Sequence, residues 1–142
     1  LHLSRLGDIV MTKIEKDPHS HSIPKPIYGN LRVEGLSFRY SDAEPYILKD
    51  MQLDIRAGES ICLVGPSGCG KTTLMKIMLG LLDPTTGNVL VDGVNIQTLG
   101  VRSYRKQIAS VMQNDELLSG SINDNISFFD PLFDHDKVEQ CA

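Results

Sequence analysis

The sequence predicts an α/β fold in which an antiparallel β portion precedes a core built around a phosphate-binding loop. Three observations carry that expectation. After residue 30, "LRVEGLSFRY" and "MQLDIRAGE" alternate apolar and polar side chains, as half-buried strands do. "SICLVG" is a short continuous apolar run closed by glycine, the pattern of a strand buried on both faces in a parallel sheet. A glycine-rich loop follows it at once and runs into "TTLMKIMLGLL", apolar almost throughout and free of breakers until Gly80, which suits a buried helix.

At 142 residues the chain has room for one such domain. With 41% apolar residues, 23% charged residues and a net charge of -4, it has the composition of an ordinary globular domain, and its mild acidity argues against non-specific nucleic-acid binding. No nucleic-acid partner is expected. Cys62, Cys69 and Cys141 match neither zinc-site nor redox-pair spacing and read as free thiols in a reducing compartment. No apolar run approaches the roughly 20 residues of a membrane span, and the N-terminus lacks a signal-peptide pattern.

The remaining elements follow in chain order. "LHLSRLGDIVMTKI" places Leu3, Leu6, Val10 and Ile14 on one face of a short amphipathic helix. From 13 to 30 the chain holds three prolines and little periodicity, so it reads as a linker, with His19 and His21 in solvated loop. "DPTTG" ends the helix after the glycine-rich loop. In "NVLVDGVNI", Asp92 and Gly93 sit between alternating arms and predict a type I′ hairpin, because both residues tolerate positive φ. "VRSYRKQ" predicts a short helix, and "IASVM" a further buried strand that delivers Gln113 at its end. The chain starts at Leu1 and closes on "DHDKVEQCA", the opening turns of a helix without a capping glycine, so both ends are expected to continue in a longer protein.

The loop itself carries the chemistry. Gly65, Gly70, Lys71 and Thr72 satisfy G-x-x-x-x-G-K-[ST], with Pro66, Ser67, Gly68 and Cys69 between the glycines and Thr73 behind them. Backbone amides can wrap an anion only where side chains do not intrude, hence the glycines. Lys71 brings a mobile charge to the β- and γ-phosphates, Thr72 a hydroxyl for magnesium, and the helix N-terminus its partial positive charge. A P-loop core binding a nucleotide with Mg²⁺ is the expectation. Cys69 stands beside the lysine, and alkylating it is expected to block nucleotide binding.

The loop does not by itself choose among kinases, GTPases, helicases and transport ATPases. The pieces from "LSFRYSDAEPYILKDMQLDIRAGES" through "VMQNDELLSGSINDNI" resemble the nucleotide-binding domain of an ABC transporter of the exporter type, over roughly residues 31–130. The resemblance is nearest to half-transporters that secrete and process bacteriocins. It implies that Tyr40 stacks on adenine, that Ile47 packs near the sugar or base, and that Gln113 reaches magnesium and the attacking water. Lys71 and Gln113 are then the residues expected to act on the reacting phosphate, and Thr72 and Gln113 those expected to meet magnesium. The segment after Gln113 would face the membrane part of the transporter.

Two further stretches look like family motifs without matching them. In "IASVMQNDE", two polar residues separate the apolar strand from Asp115 and Glu116, so neither is taken as the catalytic acid. "LLSGS" at 117–121 lacks the second glycine and the glutamine of the family's signature peptide. The signature, the acid strand and the switch histidine are expected beyond Ala142. Residues 1–30 then read as a linker from a membrane domain upstream, and 31–142 as a partial nucleotide-binding domain truncated in its helical subdomain. The resemblance implies a second such domain, a peptide substrate carried by the membrane domain, and a place on the cytoplasmic face of the bacterial inner membrane. Two alternatives stay open: an isolated ATP-binding fragment without turnover, and a soluble ABC-type ATPase outside transport.

Overall fold

Strand β1, Leu31–Phe38, pairs antiparallel on one side with β2, Leu48–Ile55, and on the other with β3, Thr86–Val91, which continues to β4, Val94–Asn95. The sheet order is therefore β2-β1-β3-β4. The computed structural model describes Val10, residues 26–112 and residues 115–141. These fall into two compact units, one ending at Ala109 and the other beginning at Ser110.

The alternation read from the sequence holds, with one slip. Val33 is buried at one phase of β1, whereas Leu36 and Phe38 are buried at the other. A bulge reconciles them: opposite β2, the register steps from Val33↔Leu53 to Leu36↔Met51, an extra residue on β1 at Gly35, whose φ is 56°. An extra residue moves every following side chain to the other face. Gly87 of β3 crosses this bulge so closely that a Cβ there would lie 2.4 Å from the Gly35 carbonyl oxygen.

The β3–β4 connection is the expected hairpin, with Asp92 at φ 48° and Gly93 at φ 79°. Asp92 does more than turn the chain. Its carboxylate accepts the amides of Tyr28 at 2.6 Å and Asn30 at 3.0 Å, together with the Asn30 side-chain amide at 3.0 Å. Partial burial pushes this carboxyl up, but the hydrogen bonds from Asn30, Tyr28 and Gly29 outweigh it and hold the group below its ordinary range. Asn30 in turn accepts the Ala57 amide at 3.2 Å, and Ile27 donates to Gln107 at 3.0 Å. The entry to β1 is thereby tied to the sheet.

Helix α1, Lys71–Met78, is shorter than the expected 72–82. Gly80, at φ 68°, stops it: its amide donates to Ile77 and that of Leu81 to Lys76, so the last free carbonyls are satisfied by a left-handed cap. Leu74 and Ile77 bury into a cluster with Val33, Leu36, Phe38, Leu48, Val89 and Val91. Burying each such side chain is worth about 1.5–3 kcal/mol. Helices α2, Ile96–Leu99, and α3, Val101–Arg105, close the cluster with Ile96 and Tyr104. The Tyr104 hydroxyl donates to the Met78 carbonyl at 2.8 Å, and its burial raises the phenol above its ordinary range.

Two strand expectations are not met. "SICLVG" joins no ladder among the described residues, and Val64 is 90% exposed. "IASVM" likewise pairs with nothing described, and Val111 is 89% exposed. An apolar run buried on both faces needs a paired strand on each side, and the described strands form the antiparallel sheet alone. The amphipathic helix and linker expected before residue 26 lie outside the described residues, apart from Val10, which is exposed.

The second unit contains α4, Ile122–Ile126, and α5, His135–Cys141, the latter where the sequence suggested a helix opening. Helix α4 starts in a capping box: the Ser121 hydroxyl accepts the Asp124 amide, and the Asp124 carboxylate accepts the Ser121 amide at 2.8 Å. Hydrogen bonds from the Ser121 side chain and then its backbone lower the Asp124 carboxyl below its ordinary range.

Candidate functional site

The glycine-rich loop leads from Leu63 into the first turn of α1, and its geometry follows from its glycines. Gly70 is the N-cap at φ 97° and ψ 8°, a conformation that L side chains rarely adopt. A Cβ on Gly70 would lie 2.8 Å from Leu48 and 3.1 Å from Ile47, so only glycine lets the loop lie against the start of β2. Gly68 is also left-handed, at φ 79°, and a Cβ on Gly65 would meet the Cys69 sulfur at 2.8 Å.

Most loop amides bond no acceptor among the described residues. Among the described residues, the one hydrogen bond donated by a backbone amide from Gly65 to Gly70 runs from Cys69 to the Pro66 carbonyl, at 3.4 Å. Lys71 folds back over the loop, its Nζ donating to the carbonyls of Gly65 at 2.8 Å and Pro66 at 2.7 Å. Its next neighbour is the Cys69 sulfur, 3.7 Å away. An ammonium thus lies across a loop at a helix N-terminus whose amides make little internal bonding among the described residues, a donor set with the chemistry of an anion site. Thr72 is exposed in that first turn, while Thr73 is buried.

Ile47, expected near the sugar or base, lies beside Gly70 of the loop. It lines, with Met51, Leu63, Cys69, Lys71 and Leu74, a cleft of about 190 Å³. Nothing in the sequence marks Leu63 or Met51 for this cleft, because a continuous apolar run around the one and apolar–polar alternation around the other read as core. Tyr40 lies on the β1–β2 connection, 57% exposed, in edge contact with Phe38 at 4.9 Å between ring centroids. The Ile47 amide donates to the Phe38 carbonyl at 2.8 Å, closing that connection beside Gly70. Gln113 lies outside the described residues.

The two stretches set aside in the sequence have local work. Asp115 accepts the Met112 amide at 2.8 Å, closing a turn, and Glu116 is exposed. "LLSGS" is the approach to α4: Asn125 bonds both the amide and the carbonyl of Leu118, at 2.8 and 3.0 Å, and Ser121 caps the helix. The Ser-x-x-Asp spacing of that capping box was a readable signal.

Residues 48–141 match the family model described as ABC transporter. The chain belongs to the ABC transporter family. This ABC transporter chain is 40% identical, over its whole length, to the colicin V secretion/processing ATP-binding protein of Escherichia coli, and 36% identical to the toxin RTX-III translocation ATP-binding protein of Actinobacillus pleuropneumoniae. It spans 20% of the length of each. Among solved structures it is similar to a bacterial Atm1-family ABC exporter with ATP bound, at a TM-score of 0.84 and 25% identity, over 99% of this chain and 24% of that one. Family membership implies a nucleotide site. Among the described residues, no helix is long and apolar enough to cross a membrane.

Proposed function

We propose that this chain is the ATP-binding part of an ABC exporter that hydrolyses Mg-ATP to power export of a bacteriocin-like peptide across the bacterial inner membrane. The observation that carries the reading is the cradle from Gly65 to Lys71, where loop amides with, among the described residues, one weak internal bond meet a lysine folded over them at a helix N-terminus. The bacteriocin and toxin secretion relatives support the direction and class of cargo.

In this reading the loop amides hold the phosphates, and Lys71 keeps its loop contacts or exchanges one for a phosphate oxygen, since an ammonium carries three donors. The Thr72 hydroxyl, exposed at the same turn, is the protein's ligand to magnesium. Among the described residues no cluster of three or more His, Cys, Asp or Glu competes for that role. Mg-ATP, when bound, supplies the phosphoryl group and the charge that the cradle neutralises. Tyr40 offers an exposed ring to the adenine, Ile47 packs beside the sugar or base, and Gln113 orients the water. Residues 1–30 form the linker from a membrane domain, and 31–142 belong to the nucleotide-binding domain. The segment after Gln113 meets the membrane domain, and a second copy of the domain completes each site.

Phosphate release by the full-length protein in membranes tests the reading. ATP-dependent release that falls to background in Lys71→Ala is the expected result, and release unchanged by that substitution would refute it. A second reading, binding without turnover by these 142 residues alone, is favoured by the Asp115 carboxylate being tied to the Met112 amide. Lysine-dependent turnover by the isolated chain would remove it.

A further inference from the structure

The connection from β1 to β2 holds an arginine whose guanidinium, among the described residues, finds its polar and ring contacts within that connection. Arg39 follows Phe38, the last residue of β1, and its side chain is 26% exposed. One terminal nitrogen donates to the Asp42 carbonyl at 2.8 Å, and the other to the Asp42 carboxylate at 2.7 Å. The same guanidinium lies 5.0 Å from the centre of the Tyr46 ring. Its Nε is shielded and has no hydrogen-bond partner among the described residues, which leaves the two terminal nitrogens to make the group's hydrogen bonds, both to Asp42.

These contacts span the loop from end to end. Arg39 bonds three residues ahead to Asp42 and stacks seven ahead on Tyr46, while the backbone closes through Ile47 to Phe38 at 2.8 Å. At the other flank, the Arg39 amide donates to the Thr85 hydroxyl at 3.1 Å, which fixes where the arginine leaves the sheet. The loop so braced carries Tyr40 and ends at Ile47, which touches the glycine that caps α1. Without the brace, a connection of nine residues would let the exposed Tyr40 ring sample many positions, and ordering it would weaken binding.

We propose that Arg39 is a positioning residue for the nucleotide base: by clamping Asp42 and Tyr46 it holds the β1–β2 loop in the one shape that presents Tyr40 to the purine. The inference rests on the reading of Tyr40 as the base-stacking residue. Arg39 touches no part of the nucleotide. It acts on base recognition alone, so phosphate recognition by the cradle is independent of it.

The test is equilibrium binding of two ligands by the full chain: ATP, and inorganic tripolyphosphate, which lacks the base. Arg39→Ala is expected to weaken ATP by about tenfold, the size of a charge-assisted pair and a cation–π contact together, and to leave tripolyphosphate unchanged. Asp42→Ala serves as a variant that cannot threaten folding, because its side chain is 96% exposed, and it is expected to weaken ATP by about threefold. The double variant should be no worse than Arg39→Ala alone. Arg39→Lys, which keeps the charge over Tyr46 but not the two-pronged grip, should recover only part of the affinity. Equal losses for both ligands, or no loss in either single variant while Tyr40→Ala loses its preference for ATP, overturn the brace. If Tyr40→Ala keeps that preference, the base-stacking reading falls and the brace falls with it.

Discussion

The chain gathers backbone amides around a glycine-containing turn in two places, and they differ in whether the chain itself supplies an anion to them. At the β3–β4 hairpin the chain supplies its own: the Asp92 carboxylate receives the amides of Tyr28 and Asn30, and the segment before β1 is pinned as a result. At the phosphate loop the amides from Gly65 to Gly70 have one weak internal bond among the described residues, and Lys71 lies across them. Satisfied amides make a joint; unsatisfied amides beside a fixed cation make a binding site. The same kind of backbone gives architecture in one place and, in the proposed function, recognition in the other.

Substitutions should separate the two regions. The largest structural effect is expected at the sheet, where Gly87→Ala would drive a methyl group into backbone atoms of Glu34 and Gly35 that cannot yield. A loss of about 3 kcal/mol in denaturant unfolding is expected, from overpacking at a positive φ. Gly70→Ala should divide its effect. Clashes with the flexible ends of Leu48 and Ile47, at a φ of 97°, are expected to lower stability by about 1–2 kcal/mol and to distort the cradle, so nucleotide affinity should fall more than stability does.

Asp92 gives a smaller and pH-dependent effect. Its carboxyl is lowered from an ordinary value of 3.8, so the folded state favours the charged form. The contribution is therefore full above the ordinary carboxylate range and lost as the pH falls below it, through the lowered value. Asp92→Asn should flatten that acid limb of the stability profile, and at neutral pH it should cost about 1 kcal/mol, since the site is solvent-screened. Nucleotide affinity should not follow. The smallest effect is expected at α4, where Ser121→Ala removes the cap and should reduce amide-exchange protection at Asp124 and Asn125 by about fivefold, leaving the first unit untouched.

Legibility in the sequence was uneven for physical reasons. The hairpin at Asp92 and Gly93 was readable because positive φ at two successive residues demands a narrow set of side chains. The role of Asp92 as anchor for residues 28–30 was not, because nothing local in the turn marks partners more than 60 positions away. The alternation in β1 announced a strand but not the bulge at Gly35, which shows only once the partner strands are in place. The reading of "SICLVG" as a paired strand failed from the same cause: an apolar run states that it can be buried, not against what. The phosphate loop lies at the opposite limit, since each of its positions is constrained by local geometry or charge. Arg39 escaped notice because an arginine at a strand end is ordinarily a solvated side chain.

The decisive measurement is a calorimetric titration of Mg-ATP into the full chain and its Lys71→Ala variant, with each variant's folding checked by unfolding. Saturable binding of one nucleotide per chain, weakened at least about tenfold when the ammonium is removed, is the expected result. A folded Lys71→Ala chain that binds Mg-ATP as tightly as the unaltered one would contradict the assignment of the Gly65–Lys71 cradle to the nucleotide's phosphates.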